Sequence, residues 1–140
     1  MVTLTRAYRF SAAHRLYIKN LSDEENERIF NSCSNVHGHG HDYSVQIKVS
    51  GEIDPETGMV VNLEELDSLS EKVLGGLDHK RLDIEVPYFI ENQPTSENIA
   101  KYVWDRLKEG LGESLAYVRV SETKNSYFEY FEEASCPDEY

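Results

Sequence analysis

The chain has 140 residues, 39% of them hydrophobic and 29% charged, proportions that suit one globular domain and exclude a disordered or coiled-coil chain. Its 26 acidic against 14 basic residues leave a formal net charge of −12, which would repel a phosphate backbone and argues against a nucleic-acid partner. No run approaches the roughly 18 apolar residues of a membrane span, Met1 to Phe10 alternate instead of forming a leader's apolar block, and two cysteines are too few to staple a secreted scaffold; the expectation is a soluble cytoplasmic protein with reduced thiols.

Thr3 to His14 place Leu4, Tyr8, Phe10, Ala12 and His14 on one parity and Thr3, Thr5, Arg9 and Ser11 on the other, which is strand alternation. Ser22 with Glu25 three residues on predicts a capped short acidic helix reaching about Phe30. A loop follows, "NSCSNVHGHGH". From His41, the residues Tyr43, Val45, Ile47 and Val49 alternate with polar Ser44, Gln46, Lys48 and Ser50, predicting a second strand that ends at the Gly51 turn. Asn62 caps a predicted helix with Leu63, Leu66, Leu69, Val73 and Leu74 at helical spacing, closed by Gly75-Gly76. Asp78 and His79 fall in a loop expected to continue past Pro87. Pro94 to Glu97 open the next helix, with Ile99, Val103 and Leu107 as its buried stripe and Gly110 past its end. Two strands close the chain, Leu115 to Thr123 and Tyr127 to Glu132, joined across Lys124-Asn125.

This order predicts an α+β domain over residues 1–133, a four-stranded antiparallel sheet with helices packed on one face, and a loose tail at 134–140. A sheet covered on one side leaves its other face and both edges in need of partners, so oligomerisation is expected.

The histidines carry the chemistry. His39 and His41 share the parity of Tyr43 and Val45, so both imidazoles point to one face. If the first two strands pair antiparallel, His14 stands opposite them, and three neutral imidazoles can fill three corners of a zinc tetrahedron with the fourth open. Alone, His14 would read as a hydrogen-bonded core histidine and His39-Gly40-His41 as a polar loop; their convergence favours a metal. Iron, nickel and copper also suit imidazole. His37 forms a second His-Gly-His with His39, although strand continuity favours His39/His41. A cupin would want a glutamate where Val45 and Gln46 stand.

Cys33 lies six residues ahead of His39, in a loop that can fold over the open metal position, where its thiol could act as a base or nucleophile. Asp78 can orient His79 for proton exchange. Glu122 shares the parity of Val118 and Val120, and a buried carboxylate there could accept from the two N–H donors of an amino-pyrimidinone. Cys136 carries no assigned role.

The segments "FSAAHRLY", "LSDEEN", "HGHDY", "GEIDPETGMVVNL", "LDHK", "VPYF", "TSEN" and "SETKN" together resemble the 6-pyruvoyl-tetrahydropterin synthase family. That resemblance implies a tunnelling fold in which trimers close a twelve-stranded barrel and two trimers stack into a homohexamer, with active sites between subunits. It implies conversion of 7,8-dihydroneopterin triphosphate to 6-pyruvoyl-tetrahydropterin with loss of triphosphate. His14, His39 and His41 would be the Zn2+ ligands, Cys33, Asp78 and His79 the proton-transfer triad, Glu122 the pterin anchor, and Thr95 and Ser96 further pterin contacts. Asp42 stands where the family usually has asparagine. Cys33-x-x-x-His37 also fits the shorter spacing of a sister group, the 6-carboxytetrahydropterin synthases, which act on the same substrate and release acetaldehyde; the longer spacing from Cys33 to His39 and the "LSDEEN" insertion favour the pyruvoyl-forming group. Arg9, Arg15 and Lys124 are candidate triphosphate contacts by their position near strand ends.

Overall fold

Two thirteen-residue strands, β1 (Val2–His14) and β2 (His39–Gly51), form the central ladder of the computed structural model, which describes residues 1–133. They pair antiparallel from Val2 opposite Gly51 to His14 opposite His39. Because side chains alternate along a strand, this register puts Tyr43, Val45, Ile47 and Val49 on the face that holds Phe10 and Ala12. All four β2 residues are fully buried. Ser44, Gln46, Lys48 and Ser50 face the other way and are half-buried.

Between the two strands lies helix α1 (Asp23–Phe30), capped by the Ser22 hydroxyl accepting from the Glu25 amide, followed by a tight 3-10 turn over Asn31–Ser34. After β2, Asn62 accepts from the amides of Glu64 and Glu65 and starts α2 (Leu63–Gly75). Four elements then precede the last strands: β3 (Lys80–Arg81), α3 (Leu82–Glu85), α4 (Pro87–Glu91) and α5 (Ser96–Leu111), the last capped by Thr95. β4 (Leu115–Thr123) pairs antiparallel with β2, and β5 (Ser126–Tyr130) turns back on β4. The strand order is β3-β1-β2-β4-β5, with the helices on one face. Leu66 and Leu74 of α2 and Ile99, Val103, Trp104 and Leu107 of α5 close the core over the sheet.

The structure departs from the sequence reading in three places. The expected loop after Asp78 contains β3, which pairs in parallel with Ala12 and Ala13 and makes the sheet five-stranded. Two residues are too few for alternation to show. Leu82, Val86 and Phe89 are buried at helical spacing there, but Pro87 divides them into two short helices and starts the second at its first turn. Gly110 lies inside α5 and not beyond it. A Cβ at Gly110 would come within 2.7 Å of the Leu69 side chain, so this glycine permits close packing of α5 on α2, and the cap passes to Gly112 at φ 57°. β5 ends at Tyr130, two residues short of the expected Glu132. The tail at 134–140, with Cys136, lies outside the described residues; among those described, Cys33 is a free thiol, and no helix is long and apolar enough to cross a membrane.

Ile47 is fully buried at the middle of the sheet, so Ile47→Ala should cost about 2–5 kcal/mol. Loss of the α2 cap by Asn62→Ala should cost about 0.5–2 kcal/mol. Urea denaturation of the two variants against the parent chain checks both magnitudes and their order.

Candidate metal centre and active site

The β1–β2 ladder ends on the pair His14–His39, with His41 on the same face of β2. The apolar side of the sheet turns polar here: below this level Phe10 and Tyr43 stack at 4.7 Å between ring centres, and above it stand the imidazoles. The turn after α1 brings Cys33 alongside, held by the Leu16 amide donating to the Cys33 carbonyl at 2.7 Å. The ligand atoms of His14, Cys33, His39 and His41 all lie within 4.8 Å of one another.

His14 is completely buried, and its ring is oriented from behind. Its Nδ1 lies 2.8 Å from the Pro94 carbonyl oxygen, which can only accept, so Nδ1 carries the proton and Nε2 presents its lone pair to the cluster. A backbone carbonyl behind a metal-binding imidazole is a common supporting arrangement. His14 Nε2 and His41 Nε2 are 3.1 Å apart. Two zinc–nitrogen bonds of about 2.0–2.1 Å in a tetrahedron would separate their nitrogens by roughly 3.3–3.4 Å, so the spacing and the three-imidazole donor set fit a zinc-sized cation. His39 Nε2 lies 3.2 Å from Cys33 Sγ, placing the thiol beside any ion so held. His37 is exposed and outside this group.

Glu122 comes in from β4, with Oε1 3.8 Å from both His14 Nε2 and His41 Nε2. The Tyr43 hydroxyl donates to the same oxygen at 3.4 Å. Burial, reinforced by the Glu122 charge, pushes the Tyr43 hydroxyl well above its ordinary value, so it stays a donor. Burial likewise draws His14 and His41 below the ordinary imidazole value of 6.5, against the opposing pull of the Pro94 carbonyl on His14 and of Glu122 on both. Both rings are therefore neutral, the form that binds metal. Burial and Glu122 raise the Cys33 thiol; a cation on the neighbouring nitrogens would oppose that shift.

Asp78 and His79 are elsewhere in the chain. Asp78 Oδ2 lies 2.9 Å from His79 Nδ1, and the His79 side chain is 82% exposed. The pair hangs on Ser11: the Ser11 amide donates to Asp78 Oδ1 at 2.9 Å, and the His79 amide donates to the Ser11 carbonyl at 2.6 Å. The Ser11 amide, and then His79, hold the Asp78 carboxyl below its usual range. His79 adopts φ 59°, an uncommon left-handed conformation for a histidine, and these two bonds maintain it. Both bonds run to the Ser11 backbone, at the edge of β1 that β3 joins, and neither Asp78 nor His79 belongs to the group of ligand atoms that converges on His14. The pair borders an open cavity of about 390 Å³ whose lining includes Ser11, His41, Asp42, His79 and Arg81. Asp42 accepts from the Ser11 hydroxyl at 2.5 Å, so its charge lies on the face turned away from the imidazoles.

Thr95 and Ser96 follow Pro94 directly. The Thr95 hydroxyl accepts from the Asn98 amide as the α5 cap, and Ser96 is buried. Of the basic candidates, Arg15 stacks on Tyr17 at 3.9 Å and lines a cleft of about 350 Å³ with Tyr17, Lys19 and Gln93. Arg9 and Lys124 are exposed. Sequence reasoning missed the Pro94 carbonyl and the Tyr43 hydroxyl. A backbone acceptor leaves no signature in residue type, and Tyr43 reads from the sequence only as a core position.

The sequence model for 6-pyruvoyl tetrahydropterin synthase matches residues 3–133. The chain is 50% identical over 129 residues to 6-pyruvoyl tetrahydrobiopterin synthase of Homo sapiens, covering 91% of this chain and 89% of that one. A 6-carboxy-5,6,7,8-tetrahydropterin synthase of Aquifex aeolicus is 28% identical over 160 residues, covering 93% of this chain and 98% of that one. The solved structure of Caenorhabditis elegans 6-pyruvoyl tetrahydropterin synthase superposes with a TM-score of 0.88 at 41% identity, covering 94% of this chain and 95% of that one.

Since the folded chain holds His14 and His41 neutral, the unfolded chain binds more protons below pH 6.5, and the stability these rings contribute is lost as pH falls from 6.5 through their depressed values. Ring resonances of the metal-free protein should titrate with midpoints below 6.5, and its urea midpoint should be lower at pH 5.5 than at pH 7.5. Midpoints at or above the ordinary value would contradict the assignment.

Proposed function

The chain belongs to the 6-pyruvoyl tetrahydropterin synthase family, a family of enzymes, and from that premise we propose that it converts 7,8-dihydroneopterin triphosphate to 6-pyruvoyl-tetrahydropterin with release of triphosphate. The observation that carries this reading is the convergence of three imidazoles and a thiol within 4.8 Å, with a carboxylate 3.8 Å from two of the rings.

His14, His39 and His41 would hold zinc, which when bound there would acidify the hydroxyls of the substrate side chain and the neighbouring C–H groups. The remaining work falls to this chain's own groups. Glu122 accepts from the paired N–H donors of the pterin ring, and its two oxygens match two adjacent donors on one edge. Thr95 and Ser96 flank the ring from the start of α5. Cys33 stands beside the cluster and exchanges a proton with the side chain as thiolate or thiol. The Asp78–His79 pair supplies the second proton-transfer group. Its exposed position at the sheet edge suits service to the cluster of a neighbouring subunit, in a homohexamer of two stacked trimers with twelve-stranded barrels. Among the described residues, β5 and most of β1 leave backbone edges without a partner strand, as such closure requires. Arg15, in its cleft beyond His14 with Nε donating to the Ser34 carbonyl at 2.9 Å, is a candidate contact for the triphosphate.

The reaction needs no external oxidant. Oxidation of the first side-chain carbinol to a ketone releases the two hydrogens that take the dihydro ring to the tetrahydro level. Elimination of triphosphate across the next two carbons leaves an enol, which becomes the second ketone and a methyl group. A place in tetrahydrobiopterin synthesis is supported by that chemistry and by the names of the relatives. The short spacing from Cys33 to His37 that suits the carboxy-forming sister activity has no counterpart in the cluster, because His37 is exposed and lies outside it.

Incubation of the purified protein with 7,8-dihydroneopterin triphosphate, followed by mass spectrometry, should give inorganic triphosphate and an intact pyruvoyl side chain; acetaldehyde with a carboxypterin would overturn the assignment. Cys33→Ala should lower turnover by at least about 100-fold while stoichiometric zinc and pterin binding persist. His41→Ala should lose the zinc, as measured by metal analysis after dialysis, and a pterin-binding protein without activity would show unchanged behaviour for Cys33→Ala.

A further inference from the structure

The His14–His39 pair is the last rung of the β1–β2 ladder, so strand pairing does not continue beyond the histidines to hold them in register, and ladder ends fray. A separate set of contacts ties off that end. Asp83, at the start of α3, has a side chain only 10% exposed. Its Oδ1 accepts from the Arg15 amide at 3.1 Å and from Arg81 Nε at 2.7 Å, and its Oδ2 accepts from Arg81 Nη2 at 3.2 Å. The remaining arm of the guanidinium, Nη1, donates to the His37 carbonyl at 3.2 Å. Arg81 is itself fixed, paired with Ala13 through β3 and donating its amide to Glu85 Oε2 at 2.6 Å.

The segments joined are those that carry the ligands. Arg15 directly follows His14, and His37 and Gly38 directly precede His39. Gly38 has φ 67°, and a Cβ placed on it would meet both Arg81 Cζ and the His14 carbonyl oxygen at 2.8 Å. The guanidinium therefore lies against bare backbone, and glycine is required there both by conformation and by contact. The same residue reaches back through β3 to the segment that bears Asp78 and His79, so one side chain relates three pieces of the site.

We propose that Arg81, seated on Asp83, is a positioning residue that sets His39 against His14 at the open end of the ladder. The proposal rests on the reading of the cluster as a metal centre only for its effect on metal affinity. Groups that orient metal ligands typically change affinity by about 10–100-fold when removed. The fork geometry is the working feature: three donors of a planar guanidinium meet two carboxylate oxygens and one carbonyl, and a lysine ammonium cannot reproduce that arrangement.

The test uses the full chain with Arg81→Met, Arg81→Lys and Asp83→Asn. Zinc affinity is measured by competition with a chromophoric chelator, and thermal midpoints and imidazole nitrogen resonances are recorded without metal. Arg81→Met should bind zinc about 10–100-fold more weakly, shift the His39 ring resonances and leave the metal-free thermal midpoint near that of the parent. Arg81→Lys should recover only part of the affinity. Wild-type zinc affinity with unmoved His39 resonances in Arg81→Met would overturn the proposal. So would full recovery in Arg81→Lys, which would reduce the effect to charge, or a loss of affinity explained by a matching fall in thermal midpoint. Should Arg81→Met not fold, Asp83→Asn is read by the same criteria. If the parent chain binds no zinc, the metal reading fails by itself, and the His39 resonances still decide whether the clasp positions the ring.

Discussion

The antiparallel register of β1 on β2 is the constraint from which the rest of the structure follows. Pairing Phe10 with Tyr43 and His14 with His39 decides at once which side chains form the core and which form the site. A slip of one residue would exchange the two faces of a strand, exposing Tyr43, Val45, Ile47 and Val49 and sending His39 and His41 to the opposite side of the sheet from His14. The core and the cluster are thus specified by the same set of backbone hydrogen bonds. The burial of the four apolar β2 residues is the force that holds the imidazoles on one side.

Helices then finish what the ladder begins. The turn that starts α5 supplies the Pro94 carbonyl behind His14, so the helix that closes the core over the sheet also sets the tautomer of the most buried ring. α1 and the 3-10 turn after it deliver Cys33, and the Leu16 amide ties that turn to the chain just beyond β1. Glu122 arrives from β4, in phase with buried Val118 and Val120. Four separate segments meet within a few ångströms; the three strands are anchored by buried apolar neighbours, Phe10 and Ala12 on β1, Val45 and Ile47 on β2 and Val118 and Val120 on β4, and the Cys33 turn by the Leu16 amide.

Much of this was legible in the sequence, because parity is a local property. Alternation from Thr3 to His14 and from His41 to Val49 gave both long strands and the shared face of the three histidines, and the caps at Ser22, Asn62 and Thr95 marked three helix starts. What escaped was information that residue type does not carry. β3 is too short to show a period, and its pairing with Ala12 and Ala13 depends on a chain reversal after α2. Gly110 looked like a helix stop because glycine usually is one, whereas here the close approach of Leu69 demands it. The family resemblance groups Cys33 with Asp78 and His79, whereas within a single chain the converging ligand atoms include Cys33 and neither member of the acid–histidine pair. Sequence supplies identities and local phase but not which edge of which sheet faces a given residue.

The cluster also sets a tension within the domain. Neutral imidazoles, a thiol and a carboxylate occupy space directly above the Phe10–Tyr43 stack, where further apolar side chains would have extended the core. Burial already disfavours charge on His14, His41 and Tyr43, so polar groups are held there at some expense to stability. Two features limit that expense. Each group has at least one partner, whether the Pro94 carbonyl, the Tyr43 hydroxyl or the neighbouring imidazole, and buried polar networks are tolerable to the extent that they are satisfied. The residual mismatch, with nitrogen lone pairs converging from three directions, is relieved by a cation, so that ligand binding and the stability of this end of the sheet become a single equilibrium. Preorganisation and local instability are then the same physical fact: the chain spends core stability at the ladder's end to keep donor atoms aimed at a point they cannot themselves fill.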